Sequence, residues 1–463
     1  MGTIEARRLV GAPAPSVGRD GAASTTADRN LARDDRDART LTTLAFAGST
    51  LPGALDYLAH SHHTLLASDA AVRSPLASNA ALAINIMLVI FALYVAIGRR
   101  MNITDHLSDM TLVLAIFGWS LLGLWRENDL AGRAIIDYIT VGLVILALWC
   151  LRPSRKLYTH IGRLVSALVV YSLIFGLTDP GGAFYTSLQG AIGESTKAFI
   201  GNNQLAGVFG HSNTLGLAVA LGIPFILQLK TRPARVAVLG MAVWVVLWSA
   251  SRTAIFAAGF ALVVVVVVSR VPRAVALALA WAISLATFAV VFALPLRTTD
   301  PDAYTRRGAI WIGSLSQAHQ NVALGQGPNW YYDIAQFDNQ LGAQASSGHN
   351  WFVSTLVVGG AVGLVLGIVL LLRLLSVSMQ SSIDLRATAT AYWFWITLVA
   401  ASTLEYVWVS SPRADLFFSV TFVVIAVLRV ERLARAPRDS DQPAVEDRPT
   451  PIQAELVDAL AGS

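Results

Sequence analysis

The stretch SSGHNWFVSTLVVGGAVGLVLG, residues 346–367, joins a polar Gly-His-Asn segment to an almost unbroken apolar run. The apolar part continues to residue 372. At about 1.5 Å of rise per residue it can cross a hydrocarbon core of about 30 Å. Backbone groups inside lipid must be hydrogen-bonded within their own segment, so the run predicts a transmembrane helix. His349 lies just before the start of this predicted helix.

Similar apolar runs recur along the 463-residue chain, which is 55% hydrophobic and only 14% charged. Soluble domains contain about 25% charged residues, so the composition indicates an integral membrane protein. A weaker helix near 41–59 contains Pro52, Gly53 and Asp56. We therefore predict an all-α polytopic membrane protein with 11–12 transmembrane helices and a long extracytoplasmic loop before the third-last helix. The eleven clearer segments lie near 80–97, 110–125, 134–151, 161–177, 213–229, 234–250, 252–269, 274–295, 350–372, 388–408 and 414–430.

The two ends of the chain are polar and differ from the predicted transmembrane domain, residues 41–430. Residues 1–40 mix charges of both signs without apolar periodicity and predict a mobile tail; residues 431–463 predict a disordered cytoplasmic tail. Cytoplasmic loops are enriched in Lys and Arg, and this bias places the long loops 178–212 and 296–348 outside. An even number of helices keeps the arginine-rich N-terminal tail in the cytoplasm, which favours the twelfth helix.

Charge and motifs exclude several classes of function. The net charge of +5 comes mostly from short loops and tails, as membrane orientation requires, so we expect no nucleic-acid partner. The HSHH segment at residues 60–63 has no accompanying thiolate or carboxylate cluster, so we expect no metal site. No Walker loop, dinucleotide fingerprint or kinase motif is present, so we expect no cofactor and energy drawn from the substrate.

Three arginines lie on the predicted outer side. Arg252 opens a helix after a tight turn, and Arg306 and Arg307 precede a short amphipathic segment containing Trp311. A guanidinium presents paired donors that match phosphate oxygens, so these residues are candidate phosphate ligands. Two simpler interpretations remain open: Arg252 as an interfacial arginine and the pair as ordinary solvated loop residues.

Histidine and amide side chains complete the outer candidates. His349 can act as a general base toward a hydroxyl, or it can be an interfacial or capping residue. His211, Asn213 and Asn350 are candidates for acceptor binding or for structural capping, and for His211 capping is the favoured interpretation. Glu405 is costly in a late apolar run, and we expect it to pair with a nearby arginine such as Arg413.

These motifs resemble the O-antigen ligase and O-antigen polymerase family over residues 80–430. The most specific element is His349-Asn350, nine residues, Gly360, two residues and Gly363. Supporting elements are GHSNTLG at 210–216, SRTA at 251–254, and RRGAIW followed by LGQGPN within 306–329. The histidine signature favours ligases, but the two groups share topology and a long outer loop, so ligase and polymerase both remain open.

The resemblance implies a metal-independent membrane glycosyltransferase at the outer face of the cytoplasmic membrane. Its partners would be an undecaprenyl-diphosphate-linked glycan donor, a glycan or lipid acceptor, and membrane lipids. It implies that Arg252 and Arg307 bind the diphosphate and that His349 is the base. Arg307 is preferred over Arg306 because it stands four residues before Trp311.

A small-solute transporter of the bicarbonate type is the alternative function. It predicts ionisable groups near mid-membrane, broken helices and internal repeats, whereas a transferase predicts polar chemistry on the outer face. A lipid-glycan flippase would need a cationic cavity among the helices, but the arginines lie at helix ends and in loops.

Overall fold

The computed structural model describes residues 20–60, 74–98, 107–127, 133–184, 197–331, 347–381, 385–406 and 417–434. Helices dominate these ranges, in which an isolated antiparallel bridge between Phe184 and Leu205 is the only β pairing. A short 3-10 turn, His319–Asn321, follows α11. The helices are α1 Asp20–His60, α2 Pro75–Gly98, α3 Leu107–Arg126, α4 Arg133–Cys150, α5 Lys156–Thr178, α6 Pro180–Ala183, α7 Ser212–Ile226, α8 Arg232–Trp248, α9 Arg252–Arg270, α10 Arg273–Arg297, α11 Ala303–Ala318, α12 Trp351–Ser381, α13 Leu385–Ala401 and α14 Phe417–Leu433.

The outward faces of the long helices are apolar, as the sequence predicts for a membrane protein. On α2, Ile86, Ile90 and Ile97 are exposed by 50%, 62% and 83%, which is unfavourable in water but suits a hydrocarbon solvent. Within the described ranges, six helical segments are long and apolar enough to cross a membrane: Pro75–Gly98, Asp109–Arg126, Lys156–Thr178, Arg252–Arg270, Arg273–Arg297 and Trp351–Met379. Three shorter apolar helices are Tyr138–Cys150, Ser212–Ile226 and Ala389–Ala401.

The first helix corrects the predicted N-terminal boundary. Residues 20–40 were expected to be part of a mobile tail, but they form the first half of α1, which continues through Pro52 and so includes the weak segment 41–59. Asp35 in this half hydrogen-bonds to another part of the chain. Asp35 accepts hydrogen bonds from the Ser154 amide at 2.7 Å and from its hydroxyl at 2.8 Å, between α4 and α5. Residues 1–19 lie outside the described ranges.

Helix α12 is broken at Gly360, whose φ and ψ are 63° and −167°. The break separates a first segment beginning at Trp351 from a second one, and residues 322–327 of the preceding loop pack into it. Trp119 of α3 adds a side-chain hydrogen bond from Nε1 to the Gly359 carbonyl at 2.7 Å. Four backbone hydrogen bonds join the loop to α12: Gln326 N to Val357 O (2.7 Å), Gly327 N to Val358 O (3.1 Å), Ala361 N to Val322 O (2.7 Å) and Val362 N to Ala323 O (3.3 Å).

Buried ion pairs join the ends of α3, α12 and α14 on the side opposite His349. Asp109, 1% exposed, accepts from Arg373 of α12 at 3.0 Å and from Arg432 of α14 at 2.6 Å. Glu431 is fully buried and accepts from Arg155 at 2.9 Å. Residues 431–433 therefore belong to α14 rather than to the predicted disordered tail, and residues 435–463 lie outside the described ranges.

Candidate active site

The candidate site forms around a turn that follows α13. The sequence predicted a helix over 388–408, but α13 ends at Ala401 and a tight turn follows. Ser402 and Thr403 in this turn are buried and use their carbonyls to hold the start of α12: the Trp351 amide donates to Ser402 O at 3.0 Å. Glu405 therefore lies in a turn at the same end as His349, not deep within a helix.

The Glu405 carboxylate, 7% exposed as a residue, joins three parts of the chain. Its Oε1 accepts a short hydrogen bond from Nη2 of Arg307, so the two form an ion pair. The same oxygen accepts from Nδ2 of Asn213 at 3.1 Å, and Oε2 lies 3.1 Å from Nδ1 of His349. The predicted partner Arg413 lies outside the described residues, and the observed partner is Arg307.

The charges around Glu405 keep it ionised. Burial alone raises the pKa of the carboxyl, but the hydrogen bond from His349 and the charge that this ring carries when protonated, followed by the charges of Arg307 and His211, lower it more. The net result is a pKa below the ordinary value of a glutamate. At neutral pH the group is therefore a carboxylate, which can only accept hydrogen bonds.

His349 is held just before the first turn of α12. The Asn350 side chain is fully buried: Nδ2 donates to the carbonyls of Val291 and Thr403, both at 3.0 Å, and Oδ1 accepts from the Val353 amide at 3.0 Å. Asn350 is thus a structural cap, because these bonds use its donors and its acceptor. His349 has a left-handed φ of 44°, and its side chain is 24% exposed.

A buried tryptophan connects the arginine segment to the histidine segment. Trp311 of α11 is fully buried, and its Nε1 donates to the carbonyl of Gly348 at 2.9 Å. Gly348 has no room for a side chain, since a Cβ there would lie 2.7 Å from the Tyr331 hydroxyl. The position of His349 is therefore fixed relative to α11.

The arginine pair divides into two roles at the start of α11. Tyr304, Thr305 and Arg306 all have left-handed dihedrals, so the regular helix begins at Arg307, whereas the sequence predicted a start just after both arginines. Arg306 is exposed, whereas the Arg307 side chain is 16% exposed. Arg307 Nη1 lies 3.5 Å from the hydroxyl of Thr253, the residue after Arg252. Arg307 is thus the arginine that joins the site.

Arg252 and Lys197 add positive charge at the same place. Arg252 is the exposed first residue of α9, where Ser251 caps the helix by accepting from the Ala254 amide at 3.4 Å. Desolvation lowers the pKa of Lys197, and the charges of Arg307 and Arg252 lower it further, while Glu405 opposes them. Lys197 is therefore within the field of both arginines. Nothing in the sequence selects Lys197 beyond its place in a predicted outer loop.

His211 has the structural role that the sequence favoured. It is the N-cap of α7, and its Nδ1 accepts from the Asn213 amide at 3.0 Å. Burial lowers its pKa; the nearby Glu405 raises it, and His349, Lys197 and Arg307 lower it. The Asn213 side chain is the donor to Glu405 described above, so this motif both caps α7 and supports the carboxylate.

The structure brings together Arg307, His349, His211 and Asn213, with Arg252 one residue from the Arg307 contact. Arg306 makes no side-chain contact with Glu405, and Asn350 supports the backbone instead of facing a ligand. In the part of the chain that the structure describes, no group of three or more His, Cys, Asp or Glu side chains has the proximity of a metal site. Residues 61–63 of the HSHH segment lie outside that part.

No known family model and no curated protein matches the chain.

Proposed function

We propose that this chain is a membrane glycosyltransferase that moves or polymerises a glycan from an undecaprenyl-diphosphate-linked donor onto an acceptor hydroxyl. The motif resemblance to O-antigen ligases and polymerases, noted above for residues 80–430, motivates the proposal. The observation that carries it is the contact of Arg307 and His349 with the same carboxylate, Glu405. A candidate phosphate-binding cation and a candidate base, distant in sequence, thus contact the same side chain.

The proposed chemistry uses these groups in distinct ways. The acceptor oxygen forms a new bond to the anomeric carbon of the donor, and the bond from that carbon to the phosphate oxygen breaks, leaving its electron pair on the diphosphate. The hydroxyl proton passes to the imidazole of His349, as expected for general-base catalysis. Arg307 and Arg252 stabilise the charge that develops on the leaving diphosphate, which is the usual role of cations around phosphoryl oxygens.

A groove beside the site suits the lipid part of such a donor. It lies between α3 and α12 and is lined in part by Trp119, Gly359, Gly363 and Gly367. Tyr406, the neighbour of Glu405, lies at its wall, and Arg126 at the outer end of α3 also lines it. Gly363 and Gly367 follow the break and lie about 6 Å apart along the helix at 1.5 Å per residue. An isoprenoid chain placed there would reach the site from within the membrane.

Among the residues that the structure describes, the broken helix α12 is the feature that most favours a small-solute transporter. Transporters use unwound carbonyls at helix breaks to coordinate ions. Here, however, the carbonyls of Val357, Val358 and Gly359 already accept hydrogen bonds from Gln326, Gly327 and Trp119. The break is filled by the protein's own loop, which leaves the transferase as the better-supported function.

Reconstitution separates the two functions. Purified protein in proteoliposomes should convert an undecaprenyl-diphosphate-linked oligosaccharide and an acceptor glycan or lipid into a transferred product and free undecaprenyl diphosphate. Robust uptake of bicarbonate or another small solute without any glycan product would instead establish the transporter. The glycan profile of a deletion strain then separates two transferase types: short unlinked units indicate a polymerase, and long unattached chains indicate a ligase.

A further inference from the structure

Glu405 bridges the two ends of the proposed reaction. One carboxylate oxygen holds Arg307, a proposed ligand of the donor, and the other lies 3.1 Å from His349 Nδ1, on the proposed base. The role of this bridge is inferred on the basis of the proposed function. Neither the fold nor the motifs specify that role.

The first consequence concerns the proton on the imidazole ring. An ionised carboxylate is an acceptor only, so the short distance from Oε2 to Nδ1 requires a proton on Nδ1. In a neutral imidazole with a protonated Nδ1, Nε2 carries the free lone pair. Glu405 therefore leaves Nε2 as the atom that can take a proton from the acceptor hydroxyl. It also holds the ring in one orientation and stabilises the imidazolium formed after transfer.

The second consequence concerns Arg307. A guanidinium has five N–H donors, and Glu405 uses Nη2, so other donors remain for phosphate oxygens. Arg307 forms an ion pair with Glu405. The same carboxylate oxygen also accepts a hydrogen bond from the Asn213 side chain. A bound diphosphate competes for that charge. When Arg307 hydrogen-bonds to phosphate, its ion pair with Glu405 weakens. The Glu405 carboxylate then interacts more strongly with the Nδ1 proton of His349.

We propose that Glu405 is a positioning residue that couples donor binding to base function, by holding the Nδ1 proton of His349 and by sharing Arg307 with the donor diphosphate. The site thus becomes fully active only after the diphosphate has arrived. Such coupling would limit proton abstraction from hydroxyl groups when no donor is present.

The decisive experiment compares turnover with donor binding in Glu405→Gln. A glutamine can donate to Nδ1 and so favour the tautomer with a protonated Nε2, which cannot act as the base. We expect kcat to fall by about 10²- to 10⁴-fold, the usual size of a general-base contribution. Binding of undecaprenyl diphosphate, which lacks the sugar, should stay within about threefold or become tighter, because Arg307 loses its internal partner. Unchanged kcat, or loss of lipid binding in parallel with kcat, would overturn the proposal.

A double-mutant cycle with His349→Ala tests whether Glu405 acts through the histidine. If it does, Glu405→Gln adds little to the loss already caused by His349→Ala, since the two residues work as a unit. Additive losses would point to an independent or merely structural role and contradict the proposal.

Two further variants keep the test decisive. Glu431→Gln removes a buried carboxylate at the opposite membrane side and should leave kcat unchanged. If Glu405→Gln does not fold, Glu405→Asp retains the charge but is one methylene too short to reach both Arg307 and His349. It should reduce kcat at least about tenfold at near-normal donor binding, and a wild-type kcat would refute the coupling. Failure of the wild-type protein to transfer glycan would instead refute the proposed function itself.

Discussion

Gly360 of α12 and Gly325 of the preceding loop meet backbone to backbone. A Cβ at Gly360 would lie 2.4 Å from the Ala323 carbonyl oxygen and 2.5 Å from the Gly325 amide, and a Cβ at Gly325 would lie 2.4 Å from the Gly360 amide. Both glycines have positive φ, 63° and 75°. The loop that follows α11 can therefore enter the break in α12 only because neither residue has a side chain. This contact fixes the wall of the groove beside the site.

Gly360→Ala is expected to destabilise the protein. The left-handed backbone alone costs about 1–3 kcal/mol for a non-glycine residue, and the overlap with backbone atoms adds to that cost. The measurement is the thermal midpoint of unfolding in detergent. Gly259→Ala is the matched control, because Gly259 lies inside α9 and a Cβ there meets nothing within 4 Å. Equal midpoints for the two variants would show that the loop does not depend on this packing.

The helices could be predicted from the sequence because apolar runs are local, but the break could not. Residues 350–372 read as one continuous helix, and Gly359 and Gly360 lie within an apolar stretch without a polar marker. The groups that compensate for the break come from residues 322–327, far away in sequence. Similarly, the acidic segment of α1 has the composition of a solvated tail. Its place in the fold depends on a hydrogen bond from the Ser154 amide to Asp35, which is distant in sequence.

The members of the site were largely predictable, but its centre was not. Arg252, Arg307 and His349 were selected by residue type, position and motif resemblance. Glu405 was noticed as a costly acid, yet its partner was sought nearby in sequence, at Arg413. The observed partner, Arg307, lies on another element, and sequence proximity does not indicate such contacts; Arg413 lies outside the described residues.

His349→Ala is expected to abolish transfer while leaving the protein folded. The imidazole is partly exposed and makes its side-chain contact with Glu405, so its loss removes the proposed base without opening the core. We expect kcat in the proteoliposome assay to fall by about 10²- to 10⁴-fold. His319→Ala, at an exposed histidine that follows α11, is the control and should retain activity. Full transfer by His349→Ala would remove the base assignment.

We expect lysine to be a poor substitute for arginine at the proposed diphosphate ligands. Arg307 uses two nitrogens of its fork, toward Glu405 and Thr253, and a lysine ammonium cannot reproduce this planar geometry. We expect Arg307→Lys and Arg252→Lys to weaken binding of undecaprenyl diphosphate by about tenfold or more, although each keeps its charge. Arg306→Lys, at the exposed neighbour, should bind nearly normally. Equal binding by all three variants would argue against the diphosphate role.

Asp109→Asn should destabilise the protein without changing the chemistry. The carboxylate is buried between Arg373 and Arg432 at the side opposite the site, and the amide would leave these two cations without a counter-ion. Hydrogen bonds to charged groups contribute about 1.5–3 kcal/mol, and the partial exposure of Arg373 favours the lower end. The expected result is a lower unfolding midpoint with normal kcat. Asp179→Asn, at an exposed acid, is the control; a loss of kcat in Asp109→Asn would instead link this cluster to the reaction.

The N-cap histidine gives the folded protein a defined response to acid. Burial is the largest of the effects that lower the pKa of His211, and its Nδ1 is needed unprotonated to accept from Asn213. A lowered pKa means that the unfolded chain binds the proton more readily. The stabilisation is therefore present above about pH 6.5, the ordinary value for histidine, and is lost as the pH falls below it.

Replacement of that histidine isolates its contribution from the other titrating groups nearby. Asparagine is a good N-cap that does not titrate, so His211→Asn should keep the cap at every pH. We expect the unfolding midpoint of the wild-type protein to fall between pH 8 and pH 5.5, and that of His211→Asn to fall less. The ionisable neighbours Glu405, His349, Lys197 and Arg307 are common to both proteins, so the difference between the two curves reports His211. Parallel curves would mean that the cap does not titrate in this range.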